Sequence, residues 1–147
     1  MANLFLKFDP TVDGGSTDAK FAKQIVLQSF SWGETNTGTV VAQDFHFVAD
    51  TDRQSPVLVQ ACAQGQPFNF AELNMVNEQT GQALYTIKMT NVLISSYQVG
   101  GSSGGSPRPI EQVSLKFRII DDTFTPVNDD GSQAAPITSH VDFGKVK

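Results

Sequence analysis

The stretch Ala83-Leu-Tyr-Thr-Ile-Lys-Met-Thr-Asn-Val-Leu-Ile-Ser-Ser-Tyr-Gln-Val99 contains neither Gly nor Pro and is patterned as one long β-strand. At about 3.3 Å per residue it would span roughly 50 Å if fully extended. A compact domain of this length has a radius of gyration of about 15 Å, which corresponds to a sphere roughly 40 Å across. We therefore expect the strand either to bend around a barrel or to continue past the core into a neighbouring molecule.

A loop rich in Gly and Ser, residues 100–106, connects this strand to a second β-patterned run, Val113-Ser-Leu-Lys-Phe-Arg-Ile119. Apolar and polar residues alternate in that run, which predicts that Ser114, Lys116 and Arg118 point outward. The loop lacks the Gly-Lys-Ser/Thr ending of a phosphate-binding loop, and it joins two strands instead of a strand and a helix. We interpret it as a mobile connector.

The same period-two alternation runs through most of the remaining chain and predicts a mainly β protein. Further strands are predicted over residues 3–8, 25–32, 44–48, 68–76 and 140–146. In residues 25–32 the pattern places Phe30 and Trp32 on the core side. It places Ser29 and Ser31 on the opposite face, together with Ile25 and Leu27.

One short helix interrupts the strands. Ser55 suits an N-cap, Pro56 the first helical position and Gly65 the residue that follows the helix. Between them Leu58, Ala61 and Cys62 fall on one stripe. A helix of about two and a half turns is too short to persist alone, so we expect it to pack on a sheet.

Composition limits the classes of function. We interpret the 147 residues as a single domain, 1–147, with a net charge of −5 that argues against a general affinity for nucleic acid or anionic membranes. The N-terminal residues lack the basic and apolar regions of a signal peptide, and no stretch reaches membrane-spanning length. We therefore expect a protein made in the cytoplasm that would be exported, if at all, without a cleaved leader.

The residues that could carry catalysis or bind metal are few. Cys62 is the only cysteine and lies on the apolar stripe of the helix, where a buried inert thiol is expected. His46 lies in a strand and His140 in a polar tail, and the sequence brings no third metal ligand near either. We predict that the protein is not an enzyme and needs no cofactor.

Outward-facing polar residues give two interpretations. They are Ser29, Ser31, Glu72, Asn74, Lys88, Ser114, Lys116 and Arg118. An ordinary solvent-facing sheet explains them, and so does the wall of a shared channel. The acidic pairs Asp121-Asp122 and Asp129-Asp130 favour turns, although they also leave open a calcium-binding module.

Taken in order, several stretches resemble the hemolysin-coregulated protein (Hcp) family of type VI secretion. They are Asp13-Gly-Gly-Ser-Thr-Asp18 with Ile25-Val-Leu-Gln-Ser-Phe-Ser-Trp-Gly33, Phe45-His-Phe-Val48 with Ser55-Pro-Val-Leu-Val-Gln-Ala-Cys-Ala-Gln-Gly65, Leu93-Ile-Ser-Ser96, and Ile110-Glu-Gln-Val-Ser-Leu-Lys-Phe117. The likeness covers residues 2 to 120.

The resemblance implies two packed antiparallel sheets that form a β-barrel, with one short helix at its side. It implies hexameric rings that stack into the inner tube of a contractile injection machine, with sheath and spike proteins as further partners. The tube is secreted and holds effector proteins in its lumen. Ser29 and Ser31 would face that lumen while Phe30 and Trp32 fill the barrel. The weaker candidates for the lumen are Glu72, Asn74, Lys88, Lys116 and Arg118.

Two segments depart from the family pattern. The segment from Glu34 to Gln43 is short where the family carries a longer insertion, which affects the expected contacts between rings. Residues 127–147 lack the tryptophan-bearing final strand of the family, for which residues 141–145 could substitute.

Two alternatives stay open: a phage-type tail tube protein, and a monomeric β-sandwich that binds sugar or calcium. For the latter the site would be at Asp121, Asp122, Asp129 and Asp130. The sequence does not specify the effectors, the stacking orientation, or a main as opposed to a specialised tube role.

Overall fold

Antiparallel strands account for most of the computed structural model, which describes residues 3–77, 79–101, 103 and 108–144. Within these residues the elements are β1 (Leu4–Asp9), β2 (Ile25–Val26), β3 (Ser29–Asn36), β4 (Val40–Asp50), α1 (Ser55–Gln64), β5 (Pro67–Asn77), β6 (Gln82–Gly100), β7 (Ile110–Lys116), β8 (Ile119–Phe124) and β9 (Ile137–Asp142). The predicted class, mainly β with one short helix, is confirmed.

The 19-residue strand β6 belongs to two sheets. Its first half pairs with β5 on one edge and with β8 on the other, and its second half pairs with β7. The first sheet therefore contains β2, β1, β5, the first half of β6, β8 and β9, and the second contains the rest of β6, β7, β4 and β3. Of the two outcomes expected for this long strand, the structure has the bend.

The bend has a local cause in β6 and another in the strands that pair with it. Asn91 has a φ of 59°, in the left-handed region, which interrupts the extended geometry of β6. Along one side of β6, β7 ends at Lys116 and β8 begins at Ile119. The two residues between them interrupt the hydrogen-bonded ladder beside Asn91. The predicted single run over residues 113–119 was therefore wrong in its last part. The break shifts the alternation, and Ile120 instead of Ile119 is buried in the core.

Two residues join β2, at one end of the strand order, to β3 at the other end. β2 ends at Val26 and β3 begins at Ser29. Between them the Leu27 amide donates to the Leu4 carbonyl at 3.0 Å, and the Gln28 amide donates to the Val48 carbonyl at 2.7 Å. This crossing links the first sheet to the second and gives the strands a barrel-like arrangement.

The same crossing corrects the prediction of one strand over residues 25–32. Ile25 and Leu27 are buried, whereas Ser29 and Ser31 are exposed, so these four residues do not share a face. The chain changes sheets at Leu27 and Gln28, and the side that faces the core changes with it.

Apolar side chains from the inner faces of both sheets form one core. Phe30 and Trp32 pack against it as predicted, with the Phe30 ring 5.8 Å from that of Phe45 and the Trp32 ring 6.1 Å from that of Phe117. The helix contributes Leu58 and Ala61, both buried. Cys62 is partly buried against the same core.

Helix α1 has nearly the predicted limits but a different start. Gly65 ends it in the left-handed conformation, with φ 65°. Ser55 does not act as the N-cap, a position that Gln54 occupies without a side-chain hydrogen bond. The Ser55 hydroxyl instead accepts from the Asp52 amide at 3.1 Å and donates to Glu111 Oε1 at 2.5 Å.

The segment from Glu34 to Gln43, expected to be a short loop, is mostly strand. β3 extends to Asn36 and β4 begins at Val40, which leaves a turn of three residues around Gly38. The last strand begins at Ile137, earlier than predicted, and ends at Asp142. Residues 145 and 146 of the predicted strand, and residues 102 and 104–107 of the Gly/Ser loop with its following proline, lie outside the described residues.

Candidate functional site

Hydroxyl, amide and imidazole side chains form a strip on the outer face of the second sheet. The register places Ser31 of β3 opposite His46 of β4, His46 opposite Ser114 of β7, and Ser114 opposite Ser96 of β6. We call this surface the serine face, and its polar members are Ser29, Ser31, His46, Ser96, Gln98, Gln112 and Ser114.

Most side chains of the serine face have no partner. The His46 Nδ1 atom lies 2.6 Å from the Ser114 hydroxyl. Within the described part of the chain, the remaining five members make no side-chain hydrogen bond. A groove of about 290 Å³ with a mixed polar and apolar lining runs along His46, Val48, Ser96, Gln112 and Ser114. The surface can therefore offer donors and acceptors to another molecule.

Charged groups lie only at the two ends of this strip. Asp44 and Lys116 lie at one end, where Asp44 accepts a hydrogen bond from Ser95 at 2.7 Å. At the other end Asp50 accepts from the Gln28 amide group at 2.7 Å. The centre of the serine face thus contains no Asp, Glu, Lys or Arg side chain.

A buried carboxylate holds helix α1 behind this sheet. Glu111, fully buried, accepts hydrogen bonds from Gln54 Nε2 at 2.9 Å, the Ser55 hydroxyl at 2.5 Å and the Tyr97 hydroxyl at 2.8 Å. Burial raises the pKa of Tyr97 to about 12, and the hydrogen bond to Glu111 and its charge add to the effect. Because Glu111 points to the core side of β7, the helix lies on the opposite side of the sheet from the serine face.

The outer face of the first sheet carries a different row of side chains. Lys7, Glu72, Lys88, Asp121 and His140 follow one another in register across β1, β5, β6, β8 and β9. We call this surface, together with Asn74 and Thr86, the charged face. Five of its seven groups are titratable, whereas His46 is the one titratable member of the serine face.

The side chains of the charged face contact one another. The Lys7 ammonium lies 3.5 Å from Glu72 Oε1, and the Lys88 ammonium lies 4.7 Å from the centre of the Phe70 ring. Asn74 accepts from the Thr86 hydroxyl at 2.8 Å and donates to Glu72 at 3.3 Å. On the last two strands, His140 is hydrogen-bonded to Asp121. These contacts tie neighbouring strands of the first sheet together.

The residues predicted from the sequence are divided between the two faces. Ser29 and Ser31 lie on the serine face, with Lys116 at its end. Glu72, Asn74 and Lys88 lie on the charged face, across the core. Arg118 lies at neither, since its Nε atom bonds Asp142 at 3.1 Å beside β9. The seven residues therefore do not form one surface.

Sequence reasoning missed four of the seven members of the serine face. His46, Ser96, Gln98 and Gln112 join it through strand register, which brings His46 to Ser114 across 68 positions of the chain. The alternating pattern assigns each residue to one side of its own strand. It does not indicate which strands are neighbours, so these residues could not be grouped beforehand.

The acidic pairs do not gather into a calcium site. Asp121 and Asp122 are adjacent in β8 and point to opposite faces, where Asp121 meets His140 and Asp122 accepts from the Tyr85 hydroxyl. Asp130 accepts from the Ser132 hydroxyl and amide within its turn, which lowers the pKa of Asp130. In the described ranges, no three His, Cys, Asp or Glu side chains lie close enough to share a metal ion.

No helix among the described residues is both long enough and apolar enough to cross a membrane.

Comparison with known proteins gives one consistent result. Residues 5–124 match the family described as "Type VI secretion system effector, Hcp". A curated relative, protein hcp1 of Pseudomonas aeruginosa, is 33% identical over 98 residues, which are 64% of this chain and 59% of the relative. The matched part thus spans less than two thirds of that relative's length.

Solved structures give the same result over the whole chain. A type six secretion system protein superposes with a TM-score of 0.93 and 28% identity, covering 100% of this chain and 99% of the other. Hcp1 from Salmonella typhimurium superposes with a TM-score of 0.86 and 26% identity, with the same coverage of both chains.

Proposed function

This chain belongs to the Hcp family of type VI secretion proteins, and on that premise we propose that it is a subunit of the secretion machine's inner tube. Identical copies close into a hexameric ring, and rings stack into a tube that is expelled from the cell. The serine face lines the lumen and holds effector proteins there. Sheath and spike proteins of the machine are the other partners, and the role is structural, without a cofactor.

The observation that carries this proposal is the pair of free edges on the second sheet. Among the described residues, β3 pairs only with β4. Beyond Leu93, which is the partner of Pro67 at the start of β5, β6 pairs only with β7. A closed ring requires two different edges that fit each other, because each copy meets its neighbours through unlike surfaces. Strand addition between copies would also cover both edges.

Strand direction supports the same arrangement. The second sheet runs β6, β7, β4, β3, with every neighbouring pair antiparallel. Since this number of strands is even, β6 of one copy would lie antiparallel to β3 of the next. The alternation then continues around the ring without a change of pairing type. The sequence-based expectation that the long strand supplies a ring contact is kept here for its second half.

The placement of α1 supports the orientation of the wall. The helix and the core lie behind the second sheet, so the serine face is the side of this sheet that none of the described elements covers. Hydroxyl and amide groups bind proteins of varied shape without an apolar patch that would hold them permanently. Such a lining suits cargo that has to be released.

Light scattering coupled to size-exclusion chromatography, together with electron microscopy, tests the assembly. We expect a mass of six subunits and a ring with a central hole. Monomers at every accessible concentration would overturn the proposal.

Substitution of single residues tests whether the serine face lines the lumen. Ser31→Glu, which adds bulk and charge to the serine face, should leave the ring intact and reduce the retention of a co-expressed effector. Lys88→Glu on the charged face is the matched control and should retain cargo. If the Ser31 variant carries cargo normally, the assignment of the lumen is wrong.

A further inference from the structure

The chain has two histidines, and the structure places one on each outer face. His46 lies near the centre of the serine face with its ring exposed. The side chains opposite it on the two neighbouring strands, Ser31 and Ser114, are neutral, and so is Ser96 on the strand beyond β7. The nearest charged groups lie at the ends of the strip, Asp44 and Lys116 on one side and Asp50 on the other.

We propose that His46 determines which cargo the serine face accepts. With a neutral imidazole the surface binds polypeptide that presents uncharged amide and hydroxyl groups, and with a protonated imidazole it rejects that cargo. The inference rests on the proposed function, because it requires the serine face to be the surface that contacts cargo.

Hydrogen-bond chemistry gives the first reason. A neutral imidazole has one donor nitrogen and one acceptor nitrogen, and one of the two is engaged by the Ser114 hydroxyl, 2.6 Å away. In the protonated ring both nitrogens donate, so Ser114 has to accept and turns its own hydrogen outward. The imidazole then changes from one donor and one acceptor to two donors, so the centre of the strip loses an acceptor and gains a positive charge.

Charge gives the second reason. A neutral partner that covers a protonated His46 would bury a cation without a compensating anion, which is unfavourable. His140 differs in this respect, because its protonation is compensated by the carboxylate of Asp121. In a closed ring every copy adds one such cation to the same lining. Histidine is the side chain whose charge generally changes between about pH 5 and 8.

The test uses assembled rings and three fluorescent peptides of equal length: a neutral one of Gly, Asn, Ser and Gln, an acidic one and a basic one. Binding is followed by fluorescence anisotropy between about pH 8 and 5.5. We expect the neutral peptide to bind about tenfold more weakly at the acidic end. The acidic peptide should change in the opposite direction.

Two matched variants assign the effect. His46→Gln keeps an uncharged hydrogen-bonding side chain, so it should bind the neutral peptide equally at both ends of the pH range. His140→Gln should retain the full pH dependence. A pH dependence that survives in the His46 variant, or that disappears in the His140 variant, would overturn the inference.

The remaining outcomes separate the inference from the proposed function. Rings that bind the neutral peptide equally at all pH values, or not at all, overturn the role of His46 and leave the ring proposal in place. A protein that forms no rings overturns the proposed function and this inference together.

Discussion

The serine face and the charged face are both polar outer surfaces of antiparallel sheets, yet their side chains are used differently. On the charged face Lys7, Glu72 and Asn74 contact one another, and Asp121 holds His140. On the serine face the contact between His46 and Ser114 is the one side-chain hydrogen bond among its members in the described chain. Composition alone does not distinguish a surface that supports its own fold from one that is available to a partner.

The inner sides of the two sheets are more alike. Each carries one tyrosine whose hydroxyl donates to a carboxylate, Tyr85 to Asp122 and Tyr97 to Glu111. The difference is in burial. Glu111 is fully buried and connects the helix to the sheet, whereas Asp122 is partly exposed. The second sheet, whose outer face is the serine face, thus has the more extensive polar network on its inner side.

The largest effect is expected from Glu111→Ala. Removal of this carboxylate leaves the buried donors of Gln54 and Ser55 and the partly buried hydroxyl of Tyr97 without their acceptor, which should lower the free energy of unfolding by about 3 kcal/mol or more. The matched change Glu72→Ala on the charged face should cost about 1 kcal/mol or less, because its ion pair is partly exposed. Urea unfolding of both variants measures the difference, and equal losses would contradict the role given to Glu111.

Alkaline pH should lower the stability of the protein through the tyrosines on the inner sides of both sheets. Burial, followed by a hydrogen bond to a carboxylate, raises the pKa of Tyr85 and of Tyr97 to about 12. In the unfolded chain tyrosine titrates near about 10, so the folded state holds these protons longer. Stability should therefore be unaffected below about pH 10 and fall as the pH rises toward about 12.

Ultraviolet absorbance of the phenolates, recorded with unfolding curves, checks this. Tyr85→Phe and Tyr97→Phe should each remove part of the alkaline loss. Phenolate formation near the ordinary tyrosine pKa in the folded protein would contradict the proposed burial and hydrogen bonding.

On the charged face Asn74→Ala should have an intermediate effect. Asn74 is buried and bonds both Thr86 and Glu72, so we expect a loss of about 1 to 2 kcal/mol in the free energy of unfolding. Asn69 lies on the same strand but is exposed, with one bond to Asp9, and Asn69→Ala should cost less. Thermal unfolding of the two variants makes the comparison, and the reverse order would mean that the network on this face is not stabilising.

The smallest effect on stability is expected on the serine face. Ser29→Ala and Ser31→Ala should each change the free energy of unfolding by less than about 0.5 kcal/mol, because neither side chain has a hydrogen-bond partner in the described chain. Ser55→Ala, the same chemical change at a buried serine bonded to Glu111, should cost more. Large losses at Ser29 or Ser31 would show that this face is needed for the fold and would remove the contrast with the charged face.

Local pattern was enough to predict much of the fold. The extent of β6, the limits of α1, and the division of Phe30 and Trp32 from Ser29 and Ser31 follow from residue types a few positions apart. The change of sheet at Leu27 and Gln28 could not be predicted in this way. When a strand passes from one sheet to another, its side chains still alternate with a period of two, but the core now lies on the other side of the strand.

The candidate site was harder to predict for a related reason. The serine face depends on which strands are neighbours and in what register, and residues 68 positions apart meet in it. Glu72 and Ser31 have the same outward pattern, so the sequence grouped them although the core separates them. The Glu111 network was also not foreseen, because an isolated carboxylate in a strand gives no sign that three donors from other parts of the chain surround it.

The bend of β6 at Asn91 makes the molecule one cooperative unit. Both sheets share this single backbone, so neither can lose its central ladder while the other keeps a complete one. Denaturation should then occur in one two-state transition, with no stable intermediate that retains only half of the strands. For the tube subunit proposed above, the result would be resistance to stepwise unravelling.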